Sequence, residues 1–412
     1  MQFIADFHIH SKYSRATSKQ MDVEHLCEWA KLKGINLIGT GDFTHHLWLE
    51  ELKSKLESKG NGLFIYKDVN FILSTEISSI YSKKGKTYRI HNLIFSPSFE
   101  VTDKINDMLS RVGNLSSDGR PILGLDAEEL ARIVFEIDPN CMLVPGHIWT
   151  PWFSLFGSMS GFDRIEDCFG KCAKNIFALE TGLSSDPAMN WRLSELDNFT
   201  LISNSDSHSP SKIGREANVF DCEMDYSTIR EVLKTKDKNK FLYTIEFFPE
   251  EGKYHYDGHR NCGICFSPKQ SKEVKNRCPR CGRPLTIGVM NRVDQLADRE
   301  VGFVPNNAIP FKNLIPLEEI VAEAKGFGKE SMAVEKEYRG LLARFGTEFE
   351  ILLNLKEEDM LKHISPRIAD AILRVRKGKV NISPGYDGEY GTISIFGEEE
   401  KKEKAHEQLD LF

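Results

Sequence analysis

The sequence predicts an α/β chain whose N-terminal strands close into a barrel, followed by a cysteine-rich zinc segment and a helical C-terminal region. Three observations lead there. Short apolar runs alternate with helical stretches through residues 1–250, the pattern of βα units on a parallel sheet. So many units favour a barrel over an open sheet. Two CxxC pairs then interrupt the alternation between about 255 and 290, and beyond Pro310 the apolar spacing becomes helical.

The strands read in order as Phe3-Ile4-Ala5, Asn36 to Gly39, Asn70 to Leu73, His91 to Phe95, Cys141 to Val144, Ile176 to Leu179 and Leu201 to Ser203. Val23 to Leu32 has helical spacing and stops at Lys33-Gly34. In the C-terminal part Leu317 to Gly326 and Ser331 to Phe345 are amphipathic helices, and Glu357 to Val375 holds two more, broken at Ser365-Pro366. The expected divisions are a barrel over 1–250, a zinc-binding segment over 251–292, a helical region over 293–396 and a charged, flexible tail over 397–412.

Composition excludes several classes. No apolar run is long enough to span a bilayer, and Met1 to His10 has neither a basic head nor a small-residue cleavage site, so the expected location is cytoplasmic. A net charge of −7 does not suit a protein that merely coats nucleic acid. Yet Arg260, Lys269, Lys272, Lys275, Arg277, Arg280, Arg283, Arg292 and Arg299 form a local basic excess suited either to phosphate contacts or to a plain solvated face.

Metal-ligand residue types collect at the predicted strand ends. His8 and His10 follow the first strand two residues apart, so both imidazoles point to one side. Asp42 follows the second and Glu76 the third; His91 opens the fourth, and His147 follows the fifth. Asp206 and His208, again two apart, follow the last. Active sites of α/β barrels lie at the C-terminal ends of the strands, so these eight residues read as one metal centre, with Asp42, Glu76 and Asp206 as its catalytic candidates.

This set, Asp6-x-His8-x-His10 with Glu76, His91, His147 and Asp206-x-His208, resembles the polymerase-and-histidinol-phosphatase (PHP) superfamily over about residues 1–220. The resemblance implies a distorted (β/α)7 barrel holding two or three divalent metals (zinc, manganese or magnesium) and hydrolysing phosphoesters. Two departures weaken a third metal site. Gly41-Asp42-Phe43 stands where the usual motif reads Thr-Asp-His, and Ser14-Arg15-Ala16 lacks the His that often follows the first pair. His45 or His46 are candidates to replace the missing imidazole. Phosphodiester hydrolysis by a metal pair needs a bridging carboxylate, and Glu76 is the candidate.

Among the 9 Cys, Cys262-Gly-Ile-Cys265 and Cys278-Pro-Arg-Cys281 have the spacing of a structural four-Cys zinc finger. Cys27, Cys141, Cys168, Cys172 and Cys222 read as small buried residues.

The barrel, the finger, the segment Arg283 to Val289 and the helical tail together resemble the endonuclease Q family over nearly the whole chain. The resemblance implies cleavage of DNA on the 5′ side of deaminated bases (uracil, hypoxanthine, xanthine) and of abasic sites, in a DNA-repair role at the nucleoid. The competing readings are a small-molecule phosphatase similar to histidinol phosphatase and a DNA-binding scaffold without catalysis; the finger and its basic flanks favour nucleic acid. Trp149, Trp152, Phe153 and Phe156 either stack an extruded base or pack a long loop, and Arg89 is a phosphate-binding candidate. Leu361 to Val380 weakly resembles a helix-hairpin-helix, with Ser365-Pro366-Arg367 in place of Gly-x-Gly. Gln408-Leu409-Asp410-Leu411-Phe412 matches a bacterial sliding-clamp pentapeptide, with Gln408, Leu409, Leu411 and Phe412 as the binding residues.

Overall fold

Val69–Lys83 and Lys86–Ser96 are the longest strands, and a two-residue turn joins them. Lys84 and Gly85 both have positive φ (52° and 79°), the backbone that lets a two-residue turn follow the twist of an antiparallel pair. This hairpin changes the architecture from the expected parallel sheet to a mixed one. The computed structural model describes residues 2–400. Gln2–Asp6 runs parallel to Leu37–Gly39, which runs parallel to Val69–Lys83. Lys86–Ser96 pairs antiparallel with Met142–Pro145. On the other side of Gln2–Asp6, Ala217–Asp221 and then Phe241–Glu246 add antiparallel strands that the apolar pattern does not announce. Ala178–Glu180 and Thr200–Ile202 form a separate parallel pair, and a bridge from Ser207 to Ile9 ties its end to the first strand.

Two apolar clusters hold these elements. Phe3, Leu37, Ile72, Leu93, Val144 and Ile202 come from six different strands and meet in one cluster. The alternate residues, such as Ile38, Phe71, Ile94 and Leu143, pack with the surrounding helices in the second. That second cluster continues without a break into Leu317, Ile320, Val334, Ile368 and Ile372 of the C-terminal helices.

The first helix, Val23–Lys33, begins where the Asp22 carboxylate accepts the His25 N–H at 3.0 Å and ends at Gly34 with φ 88°. Its last residue, Lys33, makes a buried ion pair with Glu348 at 3.2 Å. Glu348 also accepts from Tyr338 Oη at 2.8 Å and from the Leu317 N–H at 3.0 Å. This satisfied network docks the C-terminal helices onto the N-terminal sheet. The helices are Leu317–Lys325, Met332–Phe345, Glu357–His363 and Pro366–Arg376. Glu400, at the start of the charged tail, is held by Arg374 at 2.7 Å. The pentapeptide Gln408 to Phe412 lies outside the described residues. Among the described residues no helix is long and apolar enough to cross a membrane.

Glu246, at the end of its strand, is fully buried and accepts hydrogen bonds from the Thr244 and Thr181 hydroxyls. Burial, with Asp186 nearby, pushes its carboxyl up to about 8 from an ordinary 4.5. Across that window the unfolded chain releases a proton that the folded chain keeps, so this group lowers stability as pH rises. Glu246→Gln removes the ionisation. The melting temperature of the variant, relative to wild type, is expected to rise from pH 5 to pH 8; a difference that stays flat across that range contradicts the assignment.

Candidate metal centre

Glu76 organises the site. It lies inside the Val69–Lys83 strand rather than after a short strand as expected, because the hairpin extends that strand past it. In the ladder Glu76 faces Leu93 and Ser78 faces His91, so Glu76 and His91 are diagonal neighbours on one face. One carboxylate oxygen, Oε1, lies 2.7 Å from His91 Nδ1 and 3.1 Å from His147 Nε2. The other, Oε2, lies 3.5 Å from His8 Nε2 and 3.2 Å from His10 Nε2. Asp206 Oδ1 closes the second group, 3.0 Å from His10 Nε2 and 3.6 Å from His8 Nε2. Two sets of ligand atoms therefore share one carboxylate: His8, His10, Glu76 and Asp206 on one side, and Glu76, His91 and His147 on the other.

The donor set fits divalent cations. His8 Nε2, His10 Nε2 and Asp206 Oδ1 are buried without a hydrogen bond, although they crowd within 3.0–3.6 Å. With Glu76 they lie close enough together to ligate one cation. Burial depresses an imidazole, yet the carboxylates around His8 and His10 hold both rings well above their ordinary value. Burial raises a carboxyl, yet His91, Arg120 and His8 hold Glu76 well below its own. His91 is pushed down to about 4, mainly by burial.

Behind the ligand atoms stands a layer that fixes their orientation. His8 Nδ1 is 3.0 Å from Glu180 Oε1, and the other Glu180 oxygen accepts the His147 N–H at 2.8 Å. Glu180 went unnoticed in the sequence, although it ends the strand Ala178–Glu180 just as His147 follows its own. His10 Nδ1 is 3.0 Å from Asp42 Oδ1. Asp42 Oδ2 accepts from the Ser11 N–H, the Ser11 hydroxyl and the Ser14 hydroxyl at 2.6, 2.7 and 2.9 Å. Asp42 is thereby corrected from ligand and catalytic group to the partner that orients His10. His208 also stays outside both sets: its Nδ1 lies 2.9 Å from its neighbour's carbonyl, Asp206 O, while its ring packs on His10 at 4.6 Å. His45, stacked on Tyr13, and His46, bonded to Ser116, join neither ligand set among the described residues. Asp42, His147 and Asp206 all hold positive φ (49°, 29° and 46°), uncommon backbone for side-chain-bearing residues and a mark of a site whose surroundings impose it.

The second cluster differs from the expected four cysteines. Cys262, Cys278 and Cys281 converge, and His259 completes the group. Cys265 does not join. The antiparallel pair Asp257–His259 and Ile264–Phe266 sets Cys265 opposite Gly258 and His259 opposite Ile264, which places Cys265 and His259 on opposite faces. Cys265 Sγ lies 3.9 Å from the Pro384 carbonyl instead. The spacing His259-x-x-Cys262 repeats that of Cys278-x-x-Cys281, which is the signal that was available in the sequence. Three thiolates and an imidazole form a complete tetrahedral zinc set.

A family described as MJ0043 C-terminal domain matches residues 316–379. The chain is 34% identical over 289 residues to the uncharacterized protein MJ0043 of Methanocaldococcus jannaschii, covering 67% of this chain but only 36% of that protein's length. It is 29% identical to the uncharacterized protein YqxK of Bacillus subtilis over 94% of this chain and 98% of that one. A crystal structure of the lesion-specific endonuclease PfuEndoQ from Pyrococcus furiosus superposes with a TM-score of 0.86 at 33% identity, over 96% of this chain and 95% of that one. The chain belongs to the endonuclease Q family. A second endonuclease Q structure, in complex with a 27-mer duplex carrying an abasic lesion at its active site, matches at TM-score 0.84 and 33% identity over 97% and 98% of the two chains.

In this endonuclease Q chain the aromatic loop after His147 divides by burial. Trp149 is 1% exposed and donates to Asn190 at 2.8 Å, so the expectation that it stacks on a ligand is corrected to core packing. Phe156 packs against it. Trp152 is 39% exposed beside Tyr254. Phe153 holds φ 62°, and its ring lies 4.9 Å from His91 with the Arg89 guanidinium 5.6 Å away. The basic segment divides too. Arg292 pairs with Asp163, Arg299 with Asp197 and Lys272 with Asp294. Arg260, Lys269, Lys275, Arg277, Arg280 and Arg283 remain exposed around the finger.

The finger geometry yields a test by elemental analysis of purified variants. His259→Ala and Cys278→Ser are each expected to lose one zinc equivalent, while Cys265→Ser keeps it. Loss of zinc in Cys265→Ser together with its retention in His259→Ala contradicts the assignment.

Proposed function

We propose that the protein is a lesion-directed DNA repair endonuclease, hydrolysing the phosphodiester on the 5′ side of deaminated bases (uracil, hypoxanthine, xanthine) and abasic sites. The observation that carries this reading is the split Glu76 carboxylate, two ligand sets on one bridging group, in a chain of this family. His8, His10, Glu76 and Asp206 would hold one divalent cation and Glu76, His91 and His147 a second, and these ions would supply hydroxide at neutral pH and neutralise charge on the phosphate oxygens. The chain supplies the geometry. Glu180 and Asp42 turn the His8 and His10 rings so that Nε2 of each faces inward. Asp206, with a side chain 26% exposed, sits at the mouth where a phosphate enters. Trp152 and Phe153 form the apolar wall against which an extruded nucleotide stacks. Exposed cations around the His259 and cysteine cluster hold the duplex backbone, work that a phosphatase of a small metabolite does not require.

In this reading residues 1–250 are the catalytic unit, 251–292 the zinc-binding segment and 293–396 the helical DNA-contacting region. One apolar cluster fed by six strands supports reading the catalytic unit as a distorted (β/α)7 barrel. Gln408 to Phe412 serves as the tether to a sliding clamp of the bacterial type. Deleting it is expected to abolish pull-down of the purified clamp and leave cleavage of short duplexes unchanged; clamp capture by the truncated chain contradicts the tether.

The reading is tested with purified, metal-loaded protein and end-labelled duplexes that contain one uracil, hypoxanthine or abasic site, with histidinol phosphate as the competing substrate. Incision is expected 5′ to the lesion only. Asp206→Asn is expected to lose incision by two or more orders of magnitude while binding the duplex, and Trp152→Ala to narrow the preference for damaged DNA. Equal cutting of intact duplex, or phosphate release from histidinol phosphate without incision, contradicts the reading.

A further inference from the structure

One corner of the metal centre carries an arginine, Arg120, in contact with Glu76. Ser14 and Asp42 stand where the superfamily resemblance implies a third cation site, and Asp42 has spent both oxygens on His10, Ser11 and Ser14. The loop after the short 3-10 turn Leu115–Ser117 closes over that corner. The Gly119 N–H donates to the Tyr13 carbonyl at 3.1 Å. A Cβ on Gly119 would lie 2.3 Å from Asp42 Oδ2 and 2.4 Å from Ser14 Oγ, so only glycine allows this approach. Asp118 Oδ1 accepts from the N–H groups of Arg15 and Arg120 at 3.3 and 3.2 Å, and the Pro121 carbonyl accepts from the Ser78 N–H at 3.1 Å. The loop is thus pinned on both sides of Arg120.

From this anchored backbone Arg120 reaches the bridging carboxylate, its Nη1 donating to Glu76 Oε2 at 3.1 Å. Its side chain is 30% exposed, so it stays partly open to solvent beside the bridging carboxylate. Only that one of its five N–H donors is committed among the described residues. A guanidinium is always charged, and its planar fork matches two oxygens of a phosphate.

We propose that Arg120 binds a non-bridging oxygen of the phosphate held at Glu76, and that this fixed cation takes the place of a third metal ion. The inference rests on the phosphodiester-hydrolase reading above and deepens it: the anion is clamped between the cation-binding face of Glu76 and a side chain that a chelator cannot remove. Arg120 then contributes to the recognition of any phosphate ester entering the site, and the centre holds two metal ions rather than three.

Calorimetric titration of inorganic phosphate into the metal-loaded full-length protein tests this, with metal content measured on the same samples. Arg120→Gln is expected to bind phosphate about ten- to a hundredfold more weakly, the cost of one charge-assisted contact, with unchanged metal content. Arg120→Lys recovers part of the loss. Gly119→Ala keeps the arginine but displaces its loop, and is expected to reproduce the loss. Wild-type phosphate affinity in Arg120→Gln overturns the inference. So does loss of a metal equivalent in that variant, which reduces Arg120 to a support for Glu76. Wild type that binds phosphate through Arg120 but fails to incise lesion-bearing duplex rejects the nuclease reading and leaves this inference standing. Incision by Arg120→Gln with wild-type kcat and KM rejects this inference alone.

Discussion

A carboxylate that is 1% exposed and shared between two groups of imidazoles is the constraint on which the rest of this structure depends. Burying an ionised group is costly unless other charges and hydrogen bonds compensate. Glu76 is compensated from every side, by His91 and His147 at one oxygen and by His8, His10 and Arg120 at the other. Without cations, protons on the crowded imidazoles must supply the positive charge, which is why His8 and His10 hold theirs so strongly. Divalent ions held by these two ligand sets would supply that positive charge in place of the protons, which would couple metal loading to proton balance.

The fold spends its unusual features on keeping this geometry. The Lys84-Gly85 turn brings His91 back beside Glu76 on the same face of the hairpin. Glu180 and Asp42, neither of them in a ligand set, each take the Nδ1 of one ligand imidazole and leave Nε2 free to face inward. At Gly182 a Cβ would lie 2.4 Å from the Cβ of His147, which fixes how close the neighbouring strand end can come. Away from the centre, the buried Lys33–Glu348 pair and its hydrogen bonds to Tyr338 and Leu317 lock the C-terminal helices against the same sheet.

Position along the chain was legible where periodicity carries the information. Five of the seven expected strands and the C-terminal helices read out with small shifts at their ends, because each has an apolar face of its own; Val69–Lys83 and Lys86–Ser96 run well beyond the expected Asn70 to Leu73 and His91 to Phe95, since the hairpin that lengthens them is set by their pairing. The antiparallel strands Ala217–Asp221 and Phe241–Glu246 were not, since their place depends on pairing partners distant in sequence. The ligand types were legible at strand ends, but their division of labour was not. Asp42 and Glu76 look alike in the sequence, and only three short hydrogen bonds to Ser11 and Ser14 show that Asp42 is spent on orienting His10. Cys265 matched the spacing of a zinc knuckle, yet strand alternation turns it to the wrong face and presents His259. Arg120 had no local signal at all: its meaning lies in a loop that meets Tyr13, Asp42 and Ser78 across the fold.

Glu76 stands in both ligand sets and is therefore placed to bridge two cations. Electron paramagnetic resonance of the protein loaded with two equivalents of manganese at the Glu76 centre measures this, because ions about 3.5–4 Å apart behind one carboxylate are spin-coupled. A coupled dimanganese signal in the wild type, replaced by the spectrum of isolated ions in Glu76→Ala, is the predicted result. Isolated, uncoupled ions in the fully loaded wild type would contradict the account.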